Sequence, residues 1–364
     1  MKHKTAKIFA LPSHASKERV SGVDFVRVIQ PMTYLNGYTY NGYKFKVDIY
    51  DIHAKKQPNW IDISKEYDLV FLNYTVLDWA FAAMGAPLRG EGKKMIMDLD
   101  DAIWYVRKDN PTYESYHAND GQNIYNVQCI LDEVDHIICT SGYLKNVIVN
   151  KTYRRHEHIT VIPNCIDLKL YNKIYEIKDK KDIVILHFGS TTHFEDLLQK
   201  EFMMGISRIM YEYPNVKFIT VGAFMPEFRY KFGSRYENAF GANDIYTWIK
   251  DKFPLYMDQA DIVVAPLETD IYNRSKSFIK FLEYSSAKKP GIYQDITQYR
   301  EIVEHGKNGF LAQTSDDWYE SIKKLMNIRI RIKIGYMAYK TAIKYQIQDY
   351  LDEYAKVILK TLDK

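Results

Sequence analysis

The sequence predicts an α/β protein made of two successive Rossmann-like units, each a parallel sheet wound with helices. Three observations point there. At 364 residues the chain exceeds the size at which a single hydrophobic core keeps growing, so two domains are expected. Short apolar runs alternate with helical or polar segments through both halves, the pattern of parallel βαβ units. The alternation breaks once, across a lysine- and aspartate-rich stretch from Leu168 to Asp182, and then restarts.

In the first half, Lys7 to Leu11 reads as a strand, and Val23, Val26, Ile29 and Leu35 recur at helical spacing after Gly22. Phe45 to Ile49 and Leu69 to Asn73 are further apolar strands, and Lys94 to Leu99 is one that runs into acids. Ile124 to Val134 reads as a helix, His136 to Thr140 as a strand, Tyr143 to Val149 as a helix and Ile159 to Ile162 as a strand closing on Pro163-Asn164. After the break, strands are expected at Ile183 to Phe188, Val216 to Val221, Ile262 to Ala265 and Gly291 to Tyr293. Helices are expected at Leu197 to Tyr211, Tyr246 to Ile249, Phe278 to Ala287 and Trp318 to Met326, with a helical tail from Ile328 to Leu362. The expected units are therefore residues 1–167, a linker at 168–182 and a second domain at 183–338, followed by a tail at 339–364.

Composition excludes several classes. Hydrophobic residues at 46% and charged residues at 26% supply a core and argue against disorder. A net charge of +4 permits an anionic ligand or a membrane surface without demanding either. Cys129, Cys139 and Cys165 cannot all pair and show no CxxC spacing, which fits a reducing compartment and no zinc site. The apolar run Ile8 to Leu11 stops at Pro12, too short for a signal peptide, and no stretch approaches membrane-span length. A cytoplasmic protein is expected. The 31 tyrosines have two readings, a composition effect shared with the plentiful Lys, Ile and Asn, or surfaces for stacking sugars or bases.

The segment Ala265 to Tyr284 concentrates chemistry. Read as one helix beginning near Asn273-Arg274-Ser275-Lys276, it places Lys276, Lys280 and Glu283 within roughly a 60° arc, at about 100° per residue. Phe278, Phe281, Leu282, Ser285 and Ser286 fall opposite, where a sheet would pack. Free N–H groups and two cations at a helix start suit a diphosphate, and a carboxylate deeper in suits a ribose. An ordinary surface helix with a Lys–Glu pair has the same pattern.

Its neighbours distinguish it. Val161-Ile162-Pro163-Asn164-Cys165-Ile166-Asp167, the strand, loop and helix from Asp261 to Pro290, and His305-Gly306-Lys307-Asn308-Gly309-Phe310-Leu311 occur in that order. In these elements the chain resembles the group-1 superfamily of GT-B glycosyltransferases. Asn273 to Ser277, Lys280 to Tyr284 and Asp98-Leu99-Asp100-Asp101-Ala102-Ile103-Trp104 are similar to a bacterial and phage subgroup. The resemblance implies two sheets facing across a cleft, a tail from 339 crossing back to the first domain, and a nucleotide-sugar donor with no required cofactor or metal. UDP-sugar is the first expectation and GDP-sugar the second. Glu283 then takes the place of the second acid of the family's Glu-x7-Glu motif, and Ser275 stands where the first would be, with Asn273 or Glu268 as substitutes. Gly189, Ser190 and Thr191 follow the first strand of the second domain without the family's cation there, which leaves Lys276, Lys280 or Arg274 to supply it.

Asp98, Asp100 and Asp101 follow an apolar strand, so their carboxylates are expected to face the cleft. Three readings compete: a metal-binding Asp-x-Asp, the nucleophile loop of haloacid-dehalogenase-type phosphohydrolases, or an acceptor-side position where many group-1 members carry a histidine. On the last reading Asp100 either acts as base or orients the acceptor. Gly22, Val23 and Arg27 lie where family members meet the acceptor or the donor phosphates. Arg329, Arg331, Lys333, Lys340 and Lys344 form a basic stripe suited to a solvated face or to peripheral contact with the inner face of a membrane carrying a lipid-linked acceptor. The expected function is transfer of a sugar, with retention, to a saccharide or lipid-linked hydroxyl in surface polysaccharide or glycan assembly. The alternatives are a phage transferase acting on modified DNA bases, a phosphohydrolase, and an inactive transferase-like binding module.

Overall fold

The computed structural model describes residues 3–12, 20–51, 58–73, 80–171, 173, 175, 179–189, 193–242 and 244–363. Seven strands form the first sheet: β1 (Lys4–Leu11), β2 (Thr39–Tyr40), β3 (Tyr43–Ile49), β4 (Leu69–Asn73), β5 (Lys94–Leu99), β6 (His136–Cys139) and β7 (Ile159–Val161). Their order is β2-β3-β1-β4-β5-β6-β7, parallel throughout except for the β2–β3 pair. Six strands form the second: β8 (Ile183–Phe188), β9 (Val216–Val221), β10 (Tyr236–Ala239), β11 (Ile262–Ala265), β12 (Gly291–Gln294) and β13 (Phe310–Ala312). Their order is β10-β9-β8-β11-β12-β13, parallel throughout. The order in which strands are added reverses once in each sheet, between β1 and β4 and between β8 and β11. At such a switch point the loops leaving the carboxyl ends part and open a crevice.

The central strands are buried on both faces, which is why they read as unbroken apolar runs. Tyr236, Tyr284, Tyr293, Tyr299, Tyr319 and Tyr354 are fully buried core residues, so much of the tyrosine excess is packing and not stacking surface. Elements without clear periodicity were not expected: the helix Trp60–Glu66, the helix Pro226–Phe232 and the edge strand β10.

The stretch 168–182 is less of a free linker than its composition implies. Tyr171 and Tyr175 are buried in a core shared with Phe188, Phe253 and Tyr284 of the second domain. The expected division after 338 falls inside the helix Ile328–Ala342, whose Ala338 and Ala342 belong to that same core. The chain crosses back at 343–350, where Ile166 and Gln346 pair as neighbouring parallel strands through Ile166 N–H to Tyr345 O (2.9 Å) and Ile347 N–H to Ile166 O (3.1 Å). The final helix, Leu351–Thr361, then packs Tyr354, Ala355, Ile358 and Leu359 against Ile8, Phe45 and Phe71 of the first sheet. The described helices include none long and apolar enough to cross a membrane.

Candidate active site

The first-domain wall begins at the end of β5. Asp98 does not face a cleft. It is fully buried, and its two oxygens accept from Arg27 Nε and Nη2, each at 2.8 Å. Arg27 Nη1 donates to Ile162 O (3.0 Å) and Asn164 Oδ1 (2.9 Å), so this guanidinium clamps the Pro163-Asn164 turn to β5. Asp98 and Arg27, expected at a cleft as catalytic and acceptor-side residues, are instead buried and paired with each other. This pairing also removes one acid from both the metal-binding and the phosphohydrolase readings. The cause is that an arginine buried among apolar side chains needs a fully paired, planar carboxylate partner.

Asp100 is buried too, but its Oδ1 has no hydrogen-bond partner among the described residues. Burial pushes its carboxyl well above the usual range; Asp101 adds to this, while Arg27 and Lys276 pull against it. Asp101 Oδ2 accepts from Tyr272 of the second domain at 3.2 Å. Gly22 is exposed at the start of a helical turn capped by Ser21, and Val20 O accepts from Ile245 N–H (3.2 Å), so the Gly22–Val23 turn abuts the second domain.

The second-domain wall lies at the switch point beside β8. Gly189 is held between two histidines. A Cβ there would come within 2.8 Å of the His193 ring and 3.2 Å of His187. Burial, reinforced by Lys280, keeps His187 well below its ordinary pKa and His193 down at about 3, so both rings are neutral. His193 Nδ1 therefore donates to Asp196 Oδ2 (2.8 Å), because a carboxylate only accepts. Asp196 Oδ1 accepts from Glu268 N–H (3.0 Å) and Asn273 Nδ2 (2.8 Å). Asp196 thus ties the Gly189 loop to the loop after β11. Ser190 and Thr191 lie outside the described residues.

Asn273 to Glu283 do not form one helix. Ile271–Ser275 is a short helix capped by Asp270, Lys276 turns out in extended conformation, and a second helix runs Ile279–Ser286. The break is held by side chains. Ser275 Oγ bonds back to Ile271 O (2.8 Å), Ser277 Oγ accepts from Ile279 N–H (3.3 Å), and Asn164 Nδ2 donates to Ser277 Oγ (2.6 Å). The charges of Lys276 and Lys280 both help to lower the His193 pKa. Lys280 Nζ donates to Phe188 O (3.0 Å), the carbonyl preceding Gly189, and burial lowers its pKa to about 8. Glu283, three residues on, is raised to about 7 by burial against the pull of Lys280. Lys276 Nζ lies 4.7 Å from the Tyr272 ring centre. Ser275 is buried, its hydroxyl taken by the backbone and its carbonyl accepting from Ser141 Oγ (3.3 Å), so it replaces no acid. Arg274 is exposed and lines a cavity with Tyr105 and Tyr143.

Sequence reasoning missed Asp196, which organises the loops, and Arg107, which stands 3.8 Å from Asp270 and 4.0 Å from Glu195 across the seam. The available signal for Asp196 was its place three residues after His193, a spacing that lets the two side chains meet. Arg107 is bonded locally to Asp109, and nothing in the sequence pointed to its ion pairs with Glu195 and Asp270, which are distant in sequence.

The loops just described meet between two Rossmann-like domains, an arrangement found in known proteins. Residues 182–327 match the family described as glycosyl transferases group 1. HepE from Anabaena, solved with UDP and glucose, superposes with a TM-score of 0.64 at 16% identity, covering 98% of this chain and 99% of that one. Sucrose-phosphate synthase from Thermosynechococcus elongatus gives 0.66 at 13% over 98% and 99% of the two chains. TarM gives 0.59 at 11% over 80% of this chain, which spans about half (54%) of that protein. At these identities the likeness is one of fold. A search of curated protein sequences returns no match. The chain has the GT-B fold, and residues 182–327 of its second domain match the group 1 glycosyl transferases.

Proposed function

We propose that the protein transfers a sugar from UDP-sugar to an acceptor hydroxyl, with retention of configuration, in assembly of a surface polysaccharide or related glycan. The observation that carries the reading is Lys280 Nζ bonded to Phe188 O at the Gly189 end of β8, with Lys276 and Glu283 on the same segment. As the glycosidic bond to the diphosphate breaks, negative charge grows on the leaving phosphate. Two ammonium groups fixed in advance stabilise that charge without reorganising. Glu283 accepts the ribose hydroxyls in this reading, and Glu268, whose backbone N–H is bonded to Asp196, is the candidate for the sugar hydroxyls. Neighbours of the same fold solved with UDP, namely HepE and Staphylococcus aureus TarM, support the choice of nucleotide.

Retention is what the resemblance to group 1 transferases implies. An inverting mechanism needs a carboxylate base at the acceptor, and burial, with Asp101, raises the Asp100 carboxyl from its usual range. Asp100 then orients the acceptor hydroxyl, and the departing phosphate accepts its proton.

A thermal-shift series with UDP-, GDP-, ADP- and TDP-sugars tests the donor; stabilisation by UDP-sugar is expected, and stabilisation by none of the four would sink the reading. Lys276→Ala and Lys280→Ala should each raise donor KM about tenfold to a hundredfold, the range for one charge-assisted hydrogen bond, and wild-type kinetics in both would count decisively against the site. Anomeric analysis of the product checks retention, and Asp100→Asn should keep measurable turnover.

A further inference from the structure

A cavity of about 340 Å³ lies at the seam of the two domains, beside the site just described. Its first-domain wall is Tyr105, closing the short turn Ile103–Tyr105 after Asp101, and Tyr143, in the first turn of the helix Gly142–Lys151. Its second-domain wall is Thr269, Asp270, Ile271 and Arg274. The volume falls near the lower end of the range for small-ligand pockets, about 300–1,000 Å³.

The lining is chemically unfinished. Asp270 uses Oδ1 to cap the helix Ile271–Ser275, accepting from Asn273 N–H at 2.7 Å. Its Oδ2 is buried and accepts no hydrogen bond among the described residues, with Arg107 Nη1 standing off at 3.8 Å. Arg274 is exposed and forms no ion pair among the described residues. Lys151 Nζ, 4.7 Å from the Tyr105 ring centre, adds a cation to that wall. The cavity adjoins the reacting centre: Tyr272, next to Ile271, holds Asp101.

We infer that this cavity receives the saccharide unit of the acceptor next to the one that is glycosylated, and that Arg274 selects a unit bearing a carboxylate. Two tyrosine rings offer faces for a pyranose ring. A guanidinium pairs with a carboxylate in the bidentate fashion that a lysine cannot. The inference rests on the proposed transfer centre, and it is measured apart from nucleotide binding.

The test uses the full chain and saturation-transfer NMR with methyl β-D-glucuronide and methyl β-D-glucoside, with and without excess UDP. Transfer to the glucuronide should exceed that to the glucoside and persist with UDP present. It should vanish in Tyr143→Ala, and glucuronide affinity should fall about tenfold or more in Arg274→Ala. Tyr143→Ala should keep the wild-type thermal shift with UDP, which shows that it is folded. Absence of transfer to both sugars, displacement by UDP, or an unchanged signal in both variants would overturn the inference. Equal binding of the two sugars would overturn the role of Arg274. If glucuronide binds as expected while UDP gives no thermal shift in the wild type, the donor reading fails and this site stands.

Discussion

Arg27 and Asp98 illustrate how a charged pair can serve position rather than chemistry. The guanidinium satisfies Asp98, Ile162 O and Asn164, and Asn164 in turn donates to Ser277, so a relay of hydrogen bonds runs from β5 to the break between the helices Ile271–Ser275 and Ile279–Ser286. Asp98→Ala leaves the guanidinium buried without its counter-ion and should cost about 3–5 kcal/mol, read as a lower midpoint in urea unfolding. At Lys280 and Glu283 the consequence is a pH profile. Glu283, raised to about 7, is protonated below that value and is then a weaker acceptor for the proposed ribose contact; Lys280, lowered to about 8, loses its charge above that value. UDP affinity should therefore peak between about 7 and about 8 and fall on both sides, as measured by calorimetry across the range. Glu283→Gln should abolish the acid flank and leave the alkaline one. A flat profile in the wild type would rule out the assigned roles.

Among the elements, glycines mark where helices meet. A Cβ at Gly335, in the helix Ile328–Ala342, would lie 2.0 Å from Lys288 O, a backbone atom that cannot swing away. Gly335→Ala should destabilise the second domain by about 1–3 kcal/mol, the usual range for overpacking, in thermal or urea unfolding. The same scale shows what was legible in the sequence. Leu69–Asn73, Lys94–Leu99, Ile183–Phe188, Val216–Val221 and Ile262–Ala265 were read to the residue, since burial on both faces writes a continuous apolar run between polar turns. The region of Lys276, Lys280 and Glu283 was legible as a charged cluster on an apolar-backed segment. Its break was not, because the side chain that holds Ser277 belongs to Asn164, 113 residues earlier. Asp98 was misread for the same reason, its partner lying 71 residues away. The basic stripe at the tail also changes: Arg331 is buried and donates to Leu325 O and Met326 O, leaving the other cations on a solvated face.

For the whole molecule, the last helix belongs to the first domain's core although it ends the chain. Deleting residues 351–363 removes Tyr354, Ile358 and Leu359 from contact with Ile8, Phe45 and Phe71. Calorimetry should then show the first domain melting earlier while a UDP-responsive transition of the second domain survives. A single unchanged transition would contradict that assignment. Direct seam contacts, Asp101 with Tyr272, Ser141 with Ser275 and Asn164 with Ser277, join the walls of the site, so changes in domain approach must alter the site itself.

The paired crossing at Ile166 and Gln346 has a mechanical meaning. One extended segment between two bodies leaves them free to twist as well as bend. Two segments laid side by side and bonded to each other resist twisting about their common direction, as a ribbon does. Relative movement of the halves is thereby reduced towards a single angle, and one well-placed distance probe across the seam would report it.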